Sequence, residues 1–139
     1  MVKYMFRSAL LTAATGIILL AAAPAQAKEK LTGEQQLAKM LEGRVAEKPV
    51  NCISLSTGNE NTTVIDKTAI VYGWGSVIYV NRPTNADSLN SNDVMITHPT
   101  TGQNCSLDTV QLRDRTMYSY NGFVGLQQFV PYRRVAKQK

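Results

Sequence analysis

The chain has 139 residues, of which 44% are hydrophobic, 18% charged and 7% aromatic, and its formal net charge is +5. This length favours one small domain over a multidomain enzyme, since domains usually have roughly 100–200 residues. The composition also excludes a collagenous, disordered or multi-span membrane chain.

The first residues have the composition of a secretory signal peptide. Lys3 and Arg7 are positive, and the 15 residues from Ala9 to Ala23 carry no charge. That stretch is shorter than the roughly 20 residues that a helix needs to span a bilayer. Ala25-Gln26-Ala27 fits the small-x-small cleavage rule, so we predict a signal peptide at residues 1–27 and cleavage after Ala27. An uncleaved membrane anchor is the alternative.

Removal of the first 27 of the 139 residues leaves 112, with a formal charge of +3. Four basic residues near the C-terminus contribute +4 of this charge, so the rest of the domain is slightly acidic. The high isoelectric point therefore does not indicate nucleic-acid binding. We predict one domain at residues 28–132, a flexible basic tail at residues 133–139 that could touch anionic lipid, and no membrane span after cleavage.

The two cysteines, Cys52 and Cys105, both lie in the mature part of the chain. An even number of cysteines in an exported protein predicts a disulfide, which persists in oxidising compartments. A redox centre is less consistent with the sequence, because such centres usually have a C-x-x-C spacing.

One helix is predicted between Lys28 and Lys48. Thr32 and Gln35 fit a capping box at its start. A stripe of apolar residues follows at helical spacing, and Gly43 and Pro49 are typical of a helix end. The stripe is formed by Leu37, Met40, Leu41 and Val45. The face could pack on a sheet or bind a partner.

Short β-branched and aromatic segments after Pro49 predict strands. The clearest pattern is a hairpin in which residues 69–72 and 77–80 flank Gly73-Trp74-Gly75. Further strands are expected near residues 50–55, 63–65 and 94–96, and residues 107–112 and 123–132 supply the last strands or a short helix, with residues 126–129 compatible with either. The predicted fold class is α+β: an N-terminal helix packed on an antiparallel, partly barrel-like sheet of about six to seven short strands, with one disulfide.

The sequence contains no recognisable catalytic or metal-binding motif. His98 is the single histidine, no nucleophile motif surrounds any serine, and the aspartates are scattered over loops and strand ends. We therefore expect no catalytic residues, no metal and no cofactor.

Aromatic residues offer the one residue-level functional hypothesis. Trp74 lies between two glycines at a hairpin tip, where turns usually carry Asn or Asp. An indole there either covers the core or meets a partner, so Trp74 is a candidate recognition residue, with Tyr72 and Tyr79 beside it.

Taken together, the mature chain resembles the small exported proteins of Gram-negative bacteria that contain domains of unknown function. The resemblance covers most of residues 30–135 and is carried by the signal peptide, the short helix before Cys52-Ile53-Ser54-Leu55, Val64-Ile65-Asp66, Tyr79-Val80-Asn81 and Phe129-Val130-Pro131-Tyr132-Arg133. It implies no activity, cofactor or site residues.

These features predict an exported, periplasmic or secreted domain that is not an enzyme and has a binding or structural role at the cell envelope. An envelope protein or a glycan is the expected type of partner. A small envelope hydrolase or inhibitor is the alternative. A hydrolase should have a deep pocket with converging polar groups, whereas a binding module should have a flatter aromatic patch.

Overall fold

The computed structural model describes residues 29–54, 56, 61–99 and 101–136. The predicted signal peptide lies outside the described residues, as do residues 137–139 of the predicted tail. One α-helix, α1, covers Gly33–Leu41, and a short 3-10 helix covers Ala86–Ser88. The strands are β1 Arg44–Ala46, β2 Cys52–Ser54, β3 Thr62–Ile65, β4 Ala69–Tyr72, β5 Val77–Asn81, β6 Asp93–Ile96, β7 Gln103–Cys105, β8 Thr109–Asp114, β9 Tyr120–Gly125 and β10 Phe129–Arg134.

The strands form three antiparallel sheets within the described part of the chain. The largest has the order β1-β10-β5-β4-β3, the second pairs β2 with β7, and the third has the order β6-β8-β9. The sheets are open, so the prediction of one partly barrel-like sheet with six to seven strands is wrong. Ten short strands are divided among separate sheets, and β1 and β3 remain at the edges of the largest one instead of pairing with each other.

The predicted helix on an antiparallel sheet is confirmed, and it forms the outer layer of the fold. Leu37 is buried, and Met40 and Leu41 pack beside it against Ile65 and Val71 of the large sheet. The opposite face of that sheet packs on the three-stranded sheet through a second apolar cluster. That cluster consists of Ile53, Ile70, Tyr72, Leu89, Val110, Leu112, Val124, Leu126 and Phe129.

The start of α1 follows the sequence prediction, but its end does not. The Gln35 backbone N–H donates to the Thr32 side chain, and the Gln35 side chain accepts from the Thr32 N–H, which completes the capping box. The helix ends at Leu41, and Gly43 has a φ of +69°, a left-handed conformation that glycine adopts without steric cost. The chain then turns into β1, where Val45 is exposed, so a helix extending to Lys48 is wrong.

The hairpin of β4 and β5 is confirmed, with Tyr72 opposite Tyr79 in the antiparallel register. Gly73 and Gly75 both have positive φ, as the tight connection requires. All four residues of β4 are buried, because α1 covers one face of this strand and the three-stranded sheet covers the other.

The disulfide between Cys52 and Cys105 is also confirmed. The two residues lie directly opposite each other in β2 and β7, with their Cα atoms 4.0 Å apart. The bond therefore joins two short strands that are 53 residues apart in sequence.

Strand β10 extends two residues into the segment that the sequence assigns to the tail. Arg133 forms an ion pair with Glu47, and the Arg134 backbone N–H donates to the Ser76 carbonyl oxygen. These two residues are therefore part of the large sheet.

Candidate functional site

The three aromatic residues singled out from the sequence lie in different environments. Trp74 is 73% exposed at the tip of the β4–β5 hairpin. Tyr79 is half-buried and packs against the apolar cluster between the sheets. Tyr72 is only 2% exposed, and its ring meets the Phe129 ring edge-on at 5.6 Å between centroids. The hairpin therefore presents Trp74 to solvent and keeps Tyr72 inside.

A second set of exposed aromatic residues lies on the three-stranded sheet. Val110 and Leu112 of β8 point into the core, so Gln111 between them and Arg113 after them point outward. Phe123 pairs with Gln111 and Tyr120 pairs with Arg113, which places both rings on the outer face. Their exposed fractions are 48% and 59%.

A β-bulge produces this arrangement. The register shifts between Leu112 and Arg113, so that Leu112 pairs with Gly122 but Arg113 pairs with Tyr120. Asn121 is the extra residue, and it allows Tyr120 and Phe123 to share a face although they are three positions apart. Gly122 has a φ of +121°, which fits this irregular point.

The turn after β8 adds a third ring to the same face. The Asp114 carboxylate accepts hydrogen bonds from the N–H groups of Thr116 and Met117 at 2.8 and 2.7 Å, which holds the turn. These bonds lower the pKa of Asp114. The Arg113 guanidinium lies 5.9 Å from the centre of the Tyr118 ring and donates to the Tyr118 carbonyl oxygen.

We call this surface the aromatic face, and define it by Arg113, Tyr118, Tyr120 and Phe123; the exposed Met117 precedes Tyr118 in the turn. Met117 is 82% exposed and Tyr118 56%. Sequence reasoning did not find this surface, because the spacing from Tyr120 to Phe123 breaks the two-residue period of a strand. The alternation of apolar and polar residues at positions 110–113 was the signal in the sequence that Gln111 and Arg113 point outward.

A polar cleft of about 330 Å³ is lined by residues other than those of the aromatic face, although the turn after β8 contributes to both. Its lining residues come from β3, β4, β6 and β7, the segments that flank β6, and the turn after β8. They are Thr62, Val64, Tyr72, Ser91, Asp93, Val94, Met95, Thr97, Asn104 and Arg115. Three of the polar residues, Tyr72, Asp93 and Asn104, are almost completely buried.

The buried polar groups of this cleft differ in their hydrogen bonding. Both oxygens of Asp93 accept from the Asn121 side-chain amide, at 3.0 and 2.9 Å. The Tyr72 hydroxyl and the Asn104 Oδ1 have no hydrogen-bond partner among the described residues. Burial raises the pKa of Tyr72, so its phenol stays protonated at neutral pH.

The remaining candidate catalytic or metal-binding residues lie outside the aromatic face and the cleft, as far as the structure describes them. His98 is exposed after β6 and is not among the residues that line the cleft. Within the described ranges, no three His, Cys, Asp or Glu side chains are placed to hold a metal ion. No helix among the described residues is long and apolar enough to cross a membrane.

Comparisons of the chain with protein-family models, with curated proteins and with solved structures find no match in any of the three.

Proposed function

We propose that this chain is an exported binding domain of the cell envelope and that it does not catalyse a reaction. The disulfide supports export, since such bonds persist mainly in oxidising compartments. The charged start, apolar stretch and Ala25-Gln26-Ala27 of the sequence support a cleaved signal peptide and a periplasmic location.

The aromatic face is the proposed binding surface, and its composition is the observation that carries the proposal. Tyr, Phe and Arg are among the residue types enriched at protein–protein interfaces, and this face combines all three. Exposed apolar side chains that cluster instead of being scattered are typical of interaction sites. The partner is accordingly an envelope protein, with Tyr120 and Phe123 as the central contacts.

The composition of the cleft supports binding over hydrolysis. Its described lining includes one carboxylate, Asp93, and neither histidine nor cysteine. A glycosidase mechanism uses two carboxyl groups across the bond to be cleaved. The high pKa of Tyr72 also disfavours a role as a base near neutral pH.

Site-specific photo-crosslinking in the periplasm tests the binding surface. We expect a photoreactive amino acid at Phe123 to give a discrete protein adduct, and the additional change Tyr120→Ser to reduce it strongly. The matched control is the same photoreactive residue at Lys39, which is exposed on α1, far from β9 in sequence and on a different element. Equal adducts from both positions, or none from Phe123, would contradict the proposal.

Export is tested separately by N-terminal sequencing of the protein recovered from the periplasm. We expect the mature chain to begin at Lys28. An intact Met1 in the membrane fraction would mean that residues 1–27 act as an anchor.

A further inference from the structure

The cleft has hydrogen-bonding capacity that the protein does not use. The Tyr72 hydroxyl and the Asn104 Oδ1 are buried without a hydrogen-bond partner among the described residues, although both residues contribute to the lining of one cavity. Buried polar groups in native proteins nearly always have a partner, because an unpaired one costs roughly 1–3 kcal/mol. Two such oxygens in residues that line the same cleft point to a bound molecule as the source of the missing bonds.

Asp93 adds to this unused capacity. Its carboxylate is 5% exposed, and the Asn121 amide is its one side-chain partner among the described residues. A carboxylate has about four acceptor positions, so this group has room for further donors. Asn104 Oδ1 can only accept a hydrogen bond, whereas the Tyr72 hydroxyl can both donate and accept. The cleft therefore fits a molecule with several donors and at least one acceptor.

The charges of the cleft restrict the ligand further. Asp93 disfavours an anion, and Arg115, which lines the same cleft, disfavours a cation. The volume of about 330 Å³ is at the lower end of the range for small-molecule sites. Hydroxyl groups both donate and accept, and they carry no charge.

We propose that this cleft binds one small, uncharged, hydroxyl-rich molecule of the size of a single sugar unit. Its hydroxyls bond Tyr72, Asp93 and Asn104. The two oxygens have almost no accessible surface, so the ligand reaches them as side chains that line the cleft, such as the flexible Met95, move aside. The residues that line this site are not those that define the aromatic face, but the two are joined through Asn121, which donates to Asp93.

Titration of the ¹⁵N-labelled, disulfide-bonded protein with D-glucose and with N-acetylglucosamine tests the site. We expect at least one of these probes to cause saturable shift changes that centre on the Asn104 side-chain amide. Tyr72→Phe should weaken that probe's binding about five- to tenfold, the effect of one hydrogen bond. If Tyr72→Phe does not fold, Asp93→Asn carries the same expectation, because it replaces an acceptor oxygen with a donor.

Tyr79→Phe is the matched control, since Tyr79 lies opposite Tyr72 in the sheet but does not line the cleft. It should bind the probe as the unmodified protein does. The inference is overturned if neither sugar saturates or if sodium acetate or ethylammonium chloride binds equally well. It is also overturned if Tyr72→Phe lowers the melting temperature without changing sugar binding, which would mean that the hydroxyl has an internal partner.

Discussion

At the residue scale, Trp74 and Tyr72 are two positions apart but have opposite environments. Trp74 is 73% exposed, so removal of its ring leaves no cavity. We expect Trp74→Ala to change the free energy of unfolding by less than about 1 kcal/mol, as is usual for surface substitutions. Chemical denaturation measures this. A loss of about 3–5 kcal/mol, which is typical of a buried aromatic, would show that the indole covers the core in solution.

At the scale of elements, the first residue of α1 must be glycine, because Gly33 lies directly against the β3–β4 turn. A Cβ added there would collide with the Thr68 side chain and would lie 3.0 Å from the Asp66 carbonyl oxygen. The Thr68 hydroxyl donates to that same carbonyl, which fixes its rotamer. We expect Gly33→Ala to destabilise the protein by about 1–3 kcal/mol, the cost of overpacking, although alanine is the better helix former.

Chemical denaturation of the Gly33→Ala and Ala38→Gly variants gives the free energy of unfolding of each. The comparison separates the effect of packing at Gly33 from the effect of helix propensity. Ala38 is exposed on α1, and its replacement by glycine should cost only about 0.5–1 kcal/mol. Stabilisation by Gly33→Ala would show that helix propensity decides at this position and that the contact with Thr68 relaxes.

The two-stranded sheet of β2 and β7 depends on its disulfide. Each strand has three residues, and an isolated pair of strands is only marginally stable. We expect the Cys52→Ser, Cys105→Ser double variant to lose about 2–5 kcal/mol. Denaturation with and without a reducing agent measures the same bond in the unmodified protein. Identical curves under both conditions would contradict this role.

At the scale of the whole molecule, three carboxyl groups make folding sensitive to acid. The hydrogen bond from Arg82 lowers the pKa of Glu34, the hydrogen bonds of Ser91 lower that of Asp66, and turn N–H groups lower that of Asp114. A carboxyl whose pKa is lower in the folded state stabilises the fold above its unfolded pKa, which is roughly 4. That stabilisation is lost as the pH falls through the folded value.

We therefore expect the melting temperature to be nearly constant between about pH 6 and 8 and to decline below about pH 4. Asp66→Asn keeps an oxygen that can accept from the Ser91 N–H but removes the titrating group, so its decline should be shallower. Melting curves in buffers of equal ionic strength measure both. A melting temperature that rises on acidification would contradict the conclusion that the lowered pKa values of these carboxyl groups stabilise the fold.

The sequence by itself determined the features that depend on neighbouring residues or on covalent chemistry. Thr32 and Gln35 define the start of α1, and the two glycines around Trp74 define the β4–β5 hairpin, because caps and turns act within a few positions. The cysteine pair also follows from the sequence, since two cysteines allow one connectivity.

Only the tertiary structure decided the features that depend on distant strands. Residues 44–46 form an edge strand because β10 is available to pair with them, which outweighs the helical spacing of Val45. Pro131 lies within β10 although it has no N–H, and its carbonyl oxygen accepts a hydrogen bond from the Glu47 N–H of the chain beside it.

Both proposed binding surfaces belong to this second group. The aromatic face requires the bulge at Asn121, and the cleft requires β3, β4, β6 and β7 to meet. No local pattern encodes either arrangement, because strand pairing and burial are set by contacts between segments far apart in the chain.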